Sequence, residues 1–210
     1  MTELAWRYPE WWALALSAAA WASMLQKHAH HRAPMLQWIV MTAAMMVPMI
    51  AGSLRAAADR SLWRRRHRAI AVFLIGYLTC WLIVGAALVL LRAPARPGFA
   101  VAALAIAGAW QLTRVKQLAL AGCHFTVPLA PKGWRADRDC LAYGWLTGTR
   151  CVISCWAIML ACFATGHSLI AMTGLTAICA IERYTYRPSQ LLLGGTLIAA
   201  AIAVAVPIFA

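Results

Sequence analysis

An all-α, polytopic transmembrane bundle of six or seven spans is the fold this sequence predicts, and three observations predict it. Hydrophobic residues make up 63% of the 210, against about 45–50% apolar in soluble domains, and mean hydropathy is +0.71. Charged residues are only 12% and lie in short segments between apolar runs. Those runs have roughly the length a bilayer requires.

In order, the runs cover residues 11–26, 35–54, 69–91, 99–120, 141–164, 169–181 and 191–209. The first is short, and it reads as a retained helix. One early basic residue, Arg7, precedes it, and no small-residue cleavage site follows it. The second contains Pro48, which is expected to kink the helix and free a carbonyl. The third is the cleanest. The sixth is too short for an upright span, and only Gly166-His167-Ser168 separates it from the fifth. Those two form a tight helical hairpin, or the sixth enters at an angle. Residues 1–210 read as a single integral membrane domain, with no fixed-period repeat and no low-complexity tract.

The net charge of +13 does not point to nucleic acid, because the positives follow the positive-inside pattern. Arg55, Arg60, Arg64, Arg65, Arg66 and Arg68 crowd one connection; Lys132, Arg135 and Arg138 lie in another, and Arg183 and Arg187 in a third. The opposite side receives Lys27, Arg32, Arg92 and Arg96. This asymmetry predicts a cytoplasmic N-terminus and an outside C-terminus, in a bacterial inner membrane.

The candidate chemistry is that of soft metal ligands. Cys151 and Cys155 are four apart, on one helix face. Arg150 beside them is costly at membrane depth, by roughly 2.5–3.5 kcal/mol, and would favour a thiolate. Met41, Met45 and Met49 repeat every four residues, and thioethers select Cu(I); methionine also simply fills gaps. His28, His30 and His31 follow the first run, where imidazoles at i and i+3 can share a metal or cap a helix in solvent. His167, in the hairpin turn, would join them at the outer face. Cys123 and His124 would share an ion only in an irregular turn, which Gly122 and Pro128 favour. Glu182 is expected to pair with Arg183 or a loop arginine, Arg114 and Lys116 to snorkel, and Gln111 to face a neighbouring helix. The cysteines do not form an extracellular disulfide framework. Nothing supports an enzyme: G-x-S-x-G, Walker A, H-E-x-x-H and paired carboxylates within a span are all missing.

Several segments together resemble the family of predicted metal-binding integral membrane proteins, once a domain of unknown function. One branch is linked to copper supply for tyrosinase-type polyphenol oxidases. The matching pieces are Met41-Thr42-Ala43-Ala44-Met45-Met46-Val47-Pro48, then Gly76-Tyr77-Leu78-Thr79-Cys80-Trp81, then Ala107-Gly108-Ala109-Trp110-Gln111-Leu112-Thr113-Arg114-Val115-Lys116. Cys123 with Pro128-Leu129 follows, then Gly144 and Gly148 leading into Cys151-Val152-Ile153-Ser154-Cys155-Trp156-Ala157-Ile158-Met159-Leu160, and finally Glu182-Arg183. The resemblance covers about residues 35–183. It implies cysteine at Ala119, histidine at Thr147, and a cysteine pair whose first member is Ser154 here. Either the metal site is reduced or shifted toward Met and His, with His124 and His167 compensating, or this branch keeps the fold without metal.

The function these readings predict is a membrane metal-handling protein, a chaperone or insertion factor that passes Cu(I) to a protein partner. His28, His30 and His31 would take up metal at the outer face; the methionine stripe, Cys151 and Cys155 would hold it. The alternative is a non-catalytic subunit or assembly factor of a larger membrane complex, packing against partners through the small-residue faces at 100–109 and Gly194-Gly195.

Overall fold

Proline, glycine and short polar breaks divide the apolar runs into helices. A computed structural model describes residues 8–25, 33–90, 97–166, 168–185 and 189–209. These are 86% helix and contain no strand. The α-helices are α1 (Trp11–Met24), α2 (Pro34–Met46), α3 (Ala51–Asp59), α4 (Arg66–Leu90), α5 (Pro97–Gln111), α6 (Arg114–Gly122), α7 (Gly133–Ala164), α8 (Leu169–Tyr184) and α9 (Gln190–Phe209). Short 3-10 turns at Pro48–Ile50 and Trp63–Arg65 precede α3 and α4.

Each apolar run is mainly helical over its described residues, but fewer of the helices qualify as spans than expected. Among the described residues, α4 and α7 are long and apolar enough to cross a membrane. The number rises to four if α2 with α3, bent by 42°, and α5 with α6, bent by 73°, each make one broken span. α1 and α8 have only 14 and 16 residues, about 21 and 24 Å of helix at 1.5 Å per residue.

The chain divides into two units. One comprises Met1–Val89 and Cys123–Arg150, the other Leu90–Gly122 and Cys151–Ala210. In the first, the kink expected at Pro48 is present, and its chemistry is resolved locally. Proline has no N–H, so the Ala44 carbonyl one turn earlier loses its helical donor. Two donors from α1 replace it: Ser17 Oγ at 3.0 Å and Trp21 Nε1 at 2.9 Å. α2 also joins α4, where Trp38 Nε1 donates to the Trp81 carbonyl at 2.8 Å. A Cβ on Gly85 would collide with the Trp38 indole.

α4 and the first part of α7 approach backbone to backbone. A Cβ on Gly76 would strike the Leu141 carbonyl, one on Gly144 the Phe73 carbonyl, and one on Gly148 the Cys80 Sγ at 2.8 Å. The Gly144-x-x-x-Gly148 spacing is the small-residue pattern that lets apolar helices pack closely. The two basic connections also meet: Arg60 donates to the Val127 carbonyl and Thr126 Oγ1, and Arg65 and Arg68 both bind Asp137.

In the second unit, the small residues of α5 and α9 face each other. A Cβ on Gly108 would meet Ile198 at 2.7 Å, and one on Gly194 the Gly108 carbonyl at 3.0 Å. Ala100, Ala103, Ala107, Leu197 and Ala201 are buried. The faces expected to bind external partners are therefore used, in large part, within the chain. Gly166, at φ +66°, ends α7 as glycine commonly does. Ser168 then caps α8 by accepting from the Ala171 N–H at 3.2 Å.

Candidate functional site

In the second unit several polar side chains are buried while large apolar ones lie on the surface. α6 shows this most plainly. The helix breaks after Gln111, and Thr113 Oγ1 accepts from the Lys116 backbone N–H at 3.3 Å. The new helix then exposes Val115 and Leu118 while Lys116 is 1% exposed. On α8, Met172, Leu175, Cys179 and Glu182 are buried, a 3-4-3 spacing that places them in one stripe. α7 contributes Cys151, Ser154 and Cys155, all buried.

These side chains form one cluster. Lys116 Nζ lies 3.0 Å from Glu182 Oε2, and the Gln111 amide stands beside the same carboxylate. The contact is ionic rather than an aligned hydrogen bond, since both carboxylate oxygens and Nζ lack a well-directed partner. The Cys155 thiol is in hydrogen-bond contact with the thiols of Cys151 and Cys179. Ser154 Oγ donates to the Cys151 carbonyl at 3.0 Å and lies 3.4 Å from Cys155 Sγ. Lys116 is near enough to act electrostatically on both Cys155 and Cys179. Burying two ions costs several kcal/mol per ion before their attraction is counted, so a wholly enclosed pair beside thiols is an expensive feature.

Two sequence expectations are corrected here. Lys116 does not snorkel, and Glu182 pairs with Lys116 rather than with Arg183 or a loop arginine. In both cases the break before α6 rotates the lysine inward. Gln111 faces a neighbouring helix as expected. Cys179, which no sequence motif singles out, joins the cluster, and its three-residue spacing from Glu182 places both on one face of α8.

The other expected ligands are distributed differently. Cys151 and Cys155 are together. Met41 and Met45 are fully buried on α2 in the first unit, and Met49 falls in the 3-10 turn, so the four-residue stripe is interrupted at Pro48. Cys123 and His124 do occupy an irregular turn, but Cys123 is buried and His124 exposed, so the two side chains diverge. His28, His30, His31 and His167 lie outside the described residues. Among the described residues, no group of three or more His, Cys, Asp and Glu could hold a metal ion. None of the seven cysteines forms a disulfide.

The class defined so far is an all-helical, strongly apolar protein with a buried thiol and ion-pair cluster. The chain belongs to the PpoB2 copper chaperone family, whose model matches residues 35–206. That match takes in α2 to α8 and most of α9, and so the entire cluster. Neither the curated proteins nor the solved structures contain a match to the chain.

Proposed function

We propose that this protein is a membrane-embedded copper chaperone that holds Cu(I) on buried thiols around Cys155 and passes it to a partner protein. Membership of the copper chaperone family supports the cargo and the existence of an acceptor. The observation that carries the reading is the meeting of Cys151, Cys155 and Cys179 thiols within one unit. Thiolate is a soft donor that selects Cu(I) over Mg, Ca and Mn. The bilayer reading draws on surface chemistry. Ile75, Ile83, Leu118, Ile170, Leu191 and Ile202 are 55–87% exposed, whereas Lys116 and Glu182 are enclosed, an inversion that suits lipid as the solvent. The inner membrane with a cytoplasmic N-terminus accords with the arginine asymmetry. Holding and release of an ion requires no catalytic group.

The test is anaerobic loading of the purified, detergent-solubilised chain with Cu(I), followed by metal counting. Wild type is expected to retain copper in fixed ratio, and a Cys151→Ala/Cys155→Ala variant to lose it. Transfer is then read by mixing the loaded protein with a copper-free acceptor oxidase. Wild type without copper above background would overturn the reading.

A further inference from the structure

The thiols and the ion pair are one assembly, and their arrangement assigns separate roles. We propose that Cys155 of α7 and Cys179 of α8 form a two-thiolate Cu(I) site, and that Lys116 is its counter-cation, held by Glu182 while copper is absent. This inference rests on the copper reading above and goes further, naming the ligand pair, the coordination number and the charge partner.

The ligand pair follows from placement. Cys155 touches two thiols, Cys151 and Cys179. Cys151 sits one turn earlier on the same helix, whereas Cys179 comes from a different helix. Cys155 and Cys179 both lie under the electrostatic influence of Lys116. Cu(I), a d10 ion, accepts two thiolates in a near-linear arrangement.

The charge partner follows from counting. Both S–H protons leave, two Cu–S bonds form, and copper remains Cu(I). The product carries one negative charge, from two thiolates and one monovalent cation. An uncompensated anion in a low-dielectric interior is strongly disfavoured. Lys116, 1% exposed, is the cation placed to compensate it. In the copper-free protein that charge is balanced by Glu182 at 3.0 Å, so Glu182 and the copper thiolate compete for the same ammonium.

Competition gives opposite signs for two substitutions that a purely structural pair would not separate. Copper affinity is measured by anaerobic competition against a chromogenic Cu(I) chelator, with the full-length protein in detergent. Cys155→Ala and Cys179→Ala each lose the copper; Cys151→Ala keeps it. Lys116→Met weakens binding by about tenfold or more, Lys116→Arg restores it, and Glu182→Gln tightens it by a similar factor, tenfold being ~1.4 kcal/mol. If Lys116→Met does not fold, Lys116→Met/Glu182→Gln replaces it, because it leaves no unpaired ion, and it too must bind more weakly than wild type. Copper retained by Cys179→Ala overturns the ligand pair. Equal or weaker binding in Glu182→Gln, or wild-type affinity in the double variant, overturns the counter-cation. A wild-type protein that binds no copper instead refutes the functional reading itself, so the two failures are distinguishable.

Discussion

The Ala44 carbonyl offers a stability test with an unusual signature. Pro48 deprives it of its helical donor, and Ser17 and Trp21 of α1 supply two replacements at 3.0 and 2.9 Å. Ala44 is fully buried and Ser17 is 2% exposed, so water does not substitute. Removing one donor leaves the acceptor still satisfied. Ser17→Ala or Trp21→Phe should therefore each cost about 0.6 kcal/mol, the usual size of a side-chain hydrogen bond if the helices lie in a bilayer as proposed above. Removing both orphans the carbonyl, which costs about 1–3 kcal/mol beyond the lost bonds. The double variant is thus expected to exceed the sum of the singles by about 1–3 kcal/mol, a coupling that a double-mutant cycle resolves. Pro48→Ala in the double background returns an N–H one turn away and should recover most of that excess. The assay is reversible denaturant unfolding in micelles, followed by tryptophan fluorescence and helical circular dichroism together. Additive single effects, or no recovery with Pro48→Ala, would refute the assignment of these donors to the proline defect.

Three further outcomes follow from the packing. Lys116→Met should lower stability by about 3–5 kcal/mol by stranding the buried Glu182 carboxylate, with much of the loss returned in Lys116→Met/Glu182→Gln; unfolding midpoints of the two variants decide it. Gly144→Ala should be destabilising by about 1–3 kcal/mol, because its methyl group collides with the Phe73 backbone and forces α4 and α7 apart. Gly52→Ala, on α3 with nothing within 4 Å of the added methyl, should instead stabilise by about 0.5–1 kcal/mol, which thermal melts of the pair would show.

The local physics of single runs was legible in the sequence. Apolar length foretold a helix in each run, and Pro48 foretold the bend. What the linear pattern could not carry was phase across a break. The gap at Leu112 and Thr113 resets the helical register, so Lys116, which reads as a snorkelling residue if α5 continues straight, turns inward once α6 departs by 73°. The methionine stripe is disturbed in a similar way, since Met49 falls in a 3-10 turn, where each residue advances by about 120° rather than 100°. Pairing across distance was equally hidden. Lys116 and Glu182 are far apart in the chain, and nothing local to either names the other. Small residues on α5 and α9 announced close packing correctly, but not that the partner was in the same chain.

The three departures from the resembled family bear differently on the site once the geometry is considered. Ser154 stands where a cysteine is expected, and its hydroxyl is engaged with the Cys151 carbonyl while touching Cys155 Sγ at 3.4 Å. It supports the thiol rather than adding a ligand. Ala119 is half-buried on α6, and Thr147 is buried in the first unit. A Cys155–Cys179 site needs none of the three positions. Their loss would then narrow the metal rather than abolish binding. Zn(II) in proteins takes four ligands in a tetrahedral array of thiolate, imidazole and carboxylate donors, and a richer set of cysteine and histidine would accommodate it. Two thiolates beside an ammonium do not, because the ion would keep a second positive charge next to Lys116 with half its coordination unmet. Anaerobic equilibrium dialysis against Zn(II) should therefore leave the purified protein empty under conditions where Cu(I) is retained. Stoichiometric zinc that is lost in Cys179→Ala would show that the site recruits further ligands, and with that the two-coordinate argument would fail.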